Sequence, residues 1–175
     1  LGLGDVYKRQ EVVGFGTQTA FVEGVLNLEK FGFTFDVCVN HTQLADVVEL
    51  VYRCPSINFV LDHLGKPDIK NQKFLSWKNN ISDIAEHPNV YCKLSGMVTE
   101  ADRVSWSDAE FVPYIEHIVE CFGVNRVMFG GDWPVVTLAA TYERWVDTLL
   151  ACLSHLHPVE LTRVFKKNAE KFYKI

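Results

Sequence analysis

The stretch Arg126-Val127-Met128-Phe129-Gly130-Gly131-Asp132-Trp133-Pro134 decides how this chain is read. Its first half is a short continuous apolar run, the pattern of a strand buried on both faces. Its second half breaks on two glycines and a proline, so an aspartate stands directly after a buried strand. A carboxylate placed there loses hydration unless a partner or water stabilises it. The bland alternative is that Asp132 only caps the next turn, since Asp, Gly and Pro are all turn formers.

The same design recurs upstream. Asn89 to Leu94 reads as a strand ending in Lys93, Leu94, Ser95 and Gly96. Ile57 to Leu61 is another, ending in the polar string Asp62-His63-Leu64-Gly65-Lys66-Pro67-Asp68. Phe33 to Val39 is a third, rich in β-branched and aromatic residues. Helical patterns lie between and after these strands. Asn40 offers an N-cap for a helix carrying Leu44, Val47, Val48 and Val51, which Pro55 stops. Trp77, Ile81, Ile84 and Ala85 form the inner stripe of a helix from about Phe74 to Ala85. Ser107 and Glu110 have capping-box spacing ahead of Ile115, Ile118, Val119 and Phe122. Pro113 is awkward inside that helix and offers a second place for its regular part to begin. Tyr142, Trp145, Val146, Leu149, Leu150 and Leu153 mark a further amphipathic helix. Pro158 opens the last one, and Asn168 is expected to cap a final turn bearing Phe172 and Tyr173.

Four strands alternating with helices imply parallel βαβ units in an α/β fold. An open doubly wound sheet and a (β/α)8 barrel both satisfy that pattern. No GxGxxG or Walker loop follows any strand, which weakens a nucleotide-binding reading. Polar residues gather at the strand C-termini, where barrel enzymes build their sites. Among them, His63 can serve as an acid, a hydrogen-bond donor or a metal ligand, and its bland reading is a histidine satisfied by backbone. Lys93 can hold a carboxylate or a developing oxyanion, or else be a salt-bridged structural lysine. Asp36 sits inside a strand and reads as a buried, hydrogen-bonded structural carboxylate. His41, His87, His117, His155 and His157 lack metal-ligand spacing and read as structural or surface residues.

Composition sets the outer bounds. The chain has 175 residues, 48% apolar and 22% charged, with a net charge of −5. That is the composition of a globular domain, and its acidity leaves no electrostatic footprint for nucleic acid. No run approaches the roughly 18 apolar residues of a membrane span, and no cationic, apolar leader is visible. The five scattered cysteines form no CxxC pair and read as reduced core thiols of a cytoplasmic protein. Residues 1–10 show no sustained period and read as a non-native junction, leaving 11–175 as native sequence.

The three motifs Phe59 to Pro67, Val90 to Gly96 and Arg126 to Pro134 together resemble the amidohydrolase-related family, in particular its fuconolactonase, rhamnonolactonase and pyrone-dicarboxylate lactonase branch. The resemblance runs from about Phe21 to the C-terminus. It implies a TIM-type barrel of which this chain supplies the C-terminal half, about strands five to eight, with the N-terminal strands missing. It implies a hydrolase that opens the ring ester of a small lactone, with Asp132 as general base and His63 polarising the carbonyl. Lys93 and Trp133 would bind substrate. A divalent metal such as zinc is used by some relatives and dispensed with by others; here His63 and Asp132 would hold it. The family's His-x-His pair on the first strand is absent from this chain, and His155 and His157, though correctly spaced, lie between two helices. The family usually carries Ser where Gly131 stands, a departure that keeps the turn. A metal-dependent decarboxylase of the same superfamily is the alternative enzyme, and a non-catalytic truncated remnant the alternative to an enzyme.

Overall fold

The computed structural model describes residues 13–175, so the sequence expectation for residues 1–10 lies outside the described residues. Four strands, β1 (Phe35–Val37), β2 (Phe59–Leu61), β3 (Val90–Leu94) and β4 (Val127–Phe129), form one sheet in the order β1-β2-β3-β4. Every pair is parallel, with Phe35 beside Phe59, Phe59 beside Val90, and Cys92 beside Val127. The strands are shorter than their apolar runs by one to four residues. Residues just before the strands still bond across the sheet, as where Phe35 N–H donates to Asn58 O and Phe59 N–H to Asn89 O.

Helices α1 (Thr19–Leu26), α2 (Leu44–Arg53), α3 (Phe74–Ala85), α4 (Met97–Glu100), α5 (Asp108–Phe122) and α6 (Tyr142–Cys152) fall before, between and after the strands. They end with α7 (Pro158–Thr162) and, past a π-helical turn at Arg163–Lys167, α8 (Asn168–Tyr173). Asn40 takes the Thr42 N–H and opens a short 3-10 turn ahead of α2. Ser107 and Glu110 form their capping box, so α5 starts at Asp108 and Pro113 lies inside it rather than at its start. Pro113 is the sixth residue of α5, past the four N–H groups that lack an intrahelical partner, so the helix forgoes one bond there, to the Ala109 carbonyl.

Period-two alternation splits the strands between two faces. Phe35, Val37, Phe59, Leu61, Val90, Cys92, Leu94 and Val127 join the stripes of the helices in the main core, with Trp77 and Trp145 fully buried among them. The alternate residues Val60 and Met128 form a second apolar cluster on the opposite face, closed by Phe172. The main core alone holds several dozen buried apolar side chains, and apolar burial at about 25 cal/mol per Å² is what holds the helices to the sheet. Two polar residues lock the end of the sheet away from the strand C-termini. The Arg126 guanidinium donates to Ala85 O, His87 O and Val90 O. Asn168 does not cap a helix. It is buried within a continuous run of helical backbone, and its amide donates to Val124 O and Val127 O at 2.7 Å each. Interior satisfaction of one carbonyl of β4 and one of the turn before it outweighs a capping role.

Candidate functional site

The strand C-termini carry sharp turns in backbone conformations that most residues avoid. His63, Leu64, Gly65 and Lys66 follow one another with φ of 54°, 54°, 69° and 47°, and Asp132 has φ of 50°. Left-handed backbone at a non-glycine residue costs on the order of 1–3 kcal/mol and persists only where the surroundings impose it. Two indoles impose it here. Trp77 on α3 donates to Leu64 O at 2.7 Å, and Trp145 on α6 donates to Gly130 O at 2.9 Å. The helices that follow β2 and β4 thus pin the turns that display His63 and Asp132.

These two side chains meet. His63 Nε2 lies 3.7 Å from Asp132 Oδ1, and both are largely withdrawn from solvent. The other ring nitrogen, Nδ1, is 2.7 Å from the hydroxyl of Ser95, a residue with 0% exposure at the end of β3. Gly96 follows with φ of 66°, and a Cβ there would stand 2.7 Å from His63 Nδ1. Only glycine leaves room for the imidazole and adopts that backbone freely.

Lys93 heads a second cluster beside the first. Its Nζ lies 2.5 Å from Asp62 Oδ1 and 3.2 Å from Asp36 Oδ2. Asp36 also accepts a 2.7 Å bond from Tyr173 OH. Register explains the reach: Asp36 on β1 and Lys93 on β3 flank β2 on one face of the sheet, and Asp62, just past β2, stands level with Lys93. Burial works against the charge on Lys93, but Asp62 and Asp36 together outweigh it and hold its pKa well above the ordinary lysine range. Burial likewise raises the Tyr173 phenol, with its bond to Asp36 adding to the effect and Lys93 opposing it. Lys93 is thus engaged in two salt bridges, and Asp36 is hydrogen-bonded and largely withdrawn from solvent.

Trp133 lies at the rim with 72% of its surface exposed, near the exposed apolar residues Val135, Leu138 and Tyr142. A Cβ on Gly131 would stand 2.5 Å from Tyr142 Cε2, so the Tyr142 ring fills the space a serine would occupy. His41 binds Lys66 O, His87 packs on Tyr52, and His117 sits among Ser82, Lys78 and Cys121 on the helices, all apart from this site. Sequence reasoning noted Asp62 and Ser95 among the polar residues at the strand ends without giving either a role, and gave Tyr173 none. For the first two a signal existed: Asp62 directly precedes His63, and Ser95 shares a strand face with Lys93. For Tyr173 none did, since it lies 137 positions from the carboxylate it binds.

Across residues 17–175 the chain matches the amidohydrolase family model Amidohydro_2. It is a member of that family. The chain is 36% identical over 160 residues to the L-fucono-1,5-lactonase of Burkholderia multivorans, which it matches over 81% of its own length and 53% of the relative's. It is 26% identical over 179 residues to the L-rhamnono-gamma-lactonase of Scheffersomyces stipitis, with 89% and 53% covered. Among solved structures, an amidohydrolase from Burkholderia multivorans superposes with a TM-score of 0.91 at 31% identity, covering 95% of this chain and 62% of that one. One crystal structure of that amidohydrolase has bound HEPES and another bound zinc. The chain spans about half the length of the curated relatives it matches. No helix among the described residues is long and apolar enough to cross a membrane.

Proposed function

We propose that this chain is the C-terminal half of a (β/α)8-barrel hydrolase that opens the ring ester of a small sugar-acid or related lactone. The observation that carries the reading is the 3.7 Å approach of His63 Nε2 to Asp132 Oδ1 at the C-terminal ends of β2 and β4, two parallel strands with β3 between them. The relatives' names, the share of their length that the chain spans, and the outer strands β1 and β4, each laddered on one side among the described residues, support it.

Lactone hydrolysis needs a base for the attacking water and a positive group facing the carbonyl oxygen as it gains charge. Asp132, ionised, takes the proton from water held between it and the substrate. His63 faces the carbonyl oxygen. With the Ser95 hydroxyl donating to Nδ1, Nε2 carries the proton and donates to that oxygen. Lys93, neutralised by Asp36 and Asp62, contributes by holding Asp62 and the strand ends in place, and Trp133 walls the mouth of the site. A divalent metal would, when bound, polarise the same carbonyl. The 3.7 Å separation of His63 Nε2 and Asp132 Oδ1 suits two donors of one tetrahedral ion, which stand roughly 3.5 Å apart.

The test uses the longer protein that supplies the remaining strands, assayed for acid release from a panel of sugar lactones. Asp132→Asn abolishes turnover while leaving the fold intact, and His63→Gln loses about 3–4 kcal/mol of transition-state stabilisation. Near-parent turnover by the Asn variant removes Asp132 as the base. The 175-residue chain alone is expected to be inactive, because one wall of the site is absent and water is not excluded.

A further inference from the structure

We propose that a cleft on the last helical segment, at the end of the sheet opposite the strand C-termini, is a binding site for a phosphate group. Its volume is about 670 Å³, and Arg163, Lys167 and Lys171 line it together with Asn125, Thr162 and Val159. Asn125 stands in the turn before β4, and Asn168 ties the helical segment to that turn through its bonds to Val124 O and Val127 O. The cleft shares no residue with the site around His63 and Asp132, and the proposal does not depend on the lactonase reading.

Charge and donors point to an oxyanion. The chain carries −5 overall, yet the cleft is lined by three cations and no carboxylate. Glu170 lies on the same segment but pairs with Lys166 and Lys167, at 3.7 and 2.9 Å. Lys171 makes no ion pair or hydrogen bond among the described residues. The Arg163 guanidinium donates to Asn125 Oδ1 at 2.8 Å, which orients the planar fork without neutralising it. Such a fork matches two oxygens of one phosphate, while the ammonium groups add point charge. Because Asn125 accepts through Oδ1, its NH2 is left to donate as well. The backbone gathers the three cations. In a straight α-helix residues 163, 167 and 171 drift round the axis by about 80°. The π-helical turn at Arg163–Lys167 is wider, advances less per residue and takes back much of that drift. Apolar residues on its other side hold the segment in place: Val164 is buried, and Phe165 stacks on Phe129 with ring centroids 5.0 Å apart. The volume lies within the roughly 300–1,000 Å³ of small-molecule sites, so a phosphate ester fits as well as the free ion.

The experiment is isothermal titration calorimetry of the 175-residue chain with inorganic phosphate and, separately, with glycerol phosphate, in a phosphate-free buffer. Saturable binding of one ligand per chain is expected, weakening as potassium chloride is added because exposed cations are screened. Tighter binding of the ester assigns the site to a phosphorylated small molecule, and equal or tighter binding of the free ion assigns it to inorganic phosphate; either upholds it. Arg163→Gln weakens binding roughly 10-fold or more, and Arg163→Lys by less, since it keeps the charge and loses the fork. Lys171→Gln weakens it roughly 3-fold. That second variant removes no contact within the fold, so its loss reports the ligand rather than unfolding. Lys70→Gln, beside Asp102 at the other end of the sheet, leaves binding unchanged. Absence of saturable binding, affinity unchanged in both Arg163→Gln and Lys171→Gln, or an equal loss in Lys70→Gln overturns the site. So does preferential binding of phosphatidylglycerol vesicles or duplex DNA that the same variants abolish, the mark of a macromolecular surface. None of these readouts passes through lactone turnover, so the two proposals fail separately.

Discussion

Lys93→Met tests the ion cluster beneath the site. The substitution keeps the length and apolar stem of the lysine and removes its charge, leaving Asp36 and Asp62 facing one another's surroundings without an ammonium. At an effective dielectric of about 20, charges at the observed separations of 2.5 and 3.2 Å attract by roughly 7 and 5 kcal/mol. Most of that gross attraction is offset by the cost of withdrawing three charges from water. What the variant exposes is the cost of leaving buried carboxylates uncompensated, about 3–5 kcal/mol at neutral pH. The fully buried Trp77 and Trp145 report unfolding, so urea denaturation followed by tryptophan fluorescence measures it. The loss has a pH signature. Without Lys93 one carboxylate is held above its unfolded pKa, so the folded variant binds an extra proton and gains on the parent as pH falls. The gap therefore narrows from pH 7 toward about 4.5. Adding Asp62→Asn to Lys93→Met restores much of the stability at pH 7, since the second charge then no longer has to be buried. A deficit below about 1 kcal/mol at pH 7, or one that does not narrow on acidification, refutes the argument.

Two further outcomes follow from the same geometry. Lys93 and Tyr173 both hold their protons more tightly folded than unfolded, so what they contribute is complete below about pH 10 and is lost as pH rises beyond it. Urea midpoints should fall between about pH 10 and 11.5, Tyr173→Phe should flatten part of that fall, and a stability that climbs in this range contradicts it. Gly131→Ser should cost about 1 kcal/mol, at the low end for overpacking, because the half-exposed Tyr142 ring can swing outward. Thermal melts should show that cost disappearing when Tyr142→Ala is present, and an equal cost in both backgrounds shows that the ring is not what the serine meets.

The amino-acid sequence by itself determined the elements and their sense. Continuous apolar runs of Val, Ile, Phe and Leu between helical stripes admit little but parallel strands under helices, and the four strands stand in chain order as expected. His63 and Asp132 were legible for a related reason: a polar residue directly after a buried strand has to be accounted for, and few structural roles account for it. Only the tertiary structure decided how the charges are shared. Lys93 reads the same from sequence whether it faces a substrate or a carboxylate, because the answer depends on Asp36, two strands away, and on Asp62 across the ladder. Asn168 has the local look of a helix cap, yet the carbonyls of Val124, in the turn before β4, and Val127, on it, brought to it by the closing of the last helix on β4, claim its amide. Local sequence carries hydrophobic period and turn chemistry, which act over a few residues. Partnerships such as Tyr173 with Asp36, or Ser95 with His63, arise when register and chain closure bring distant segments together, and no local pattern encodes them.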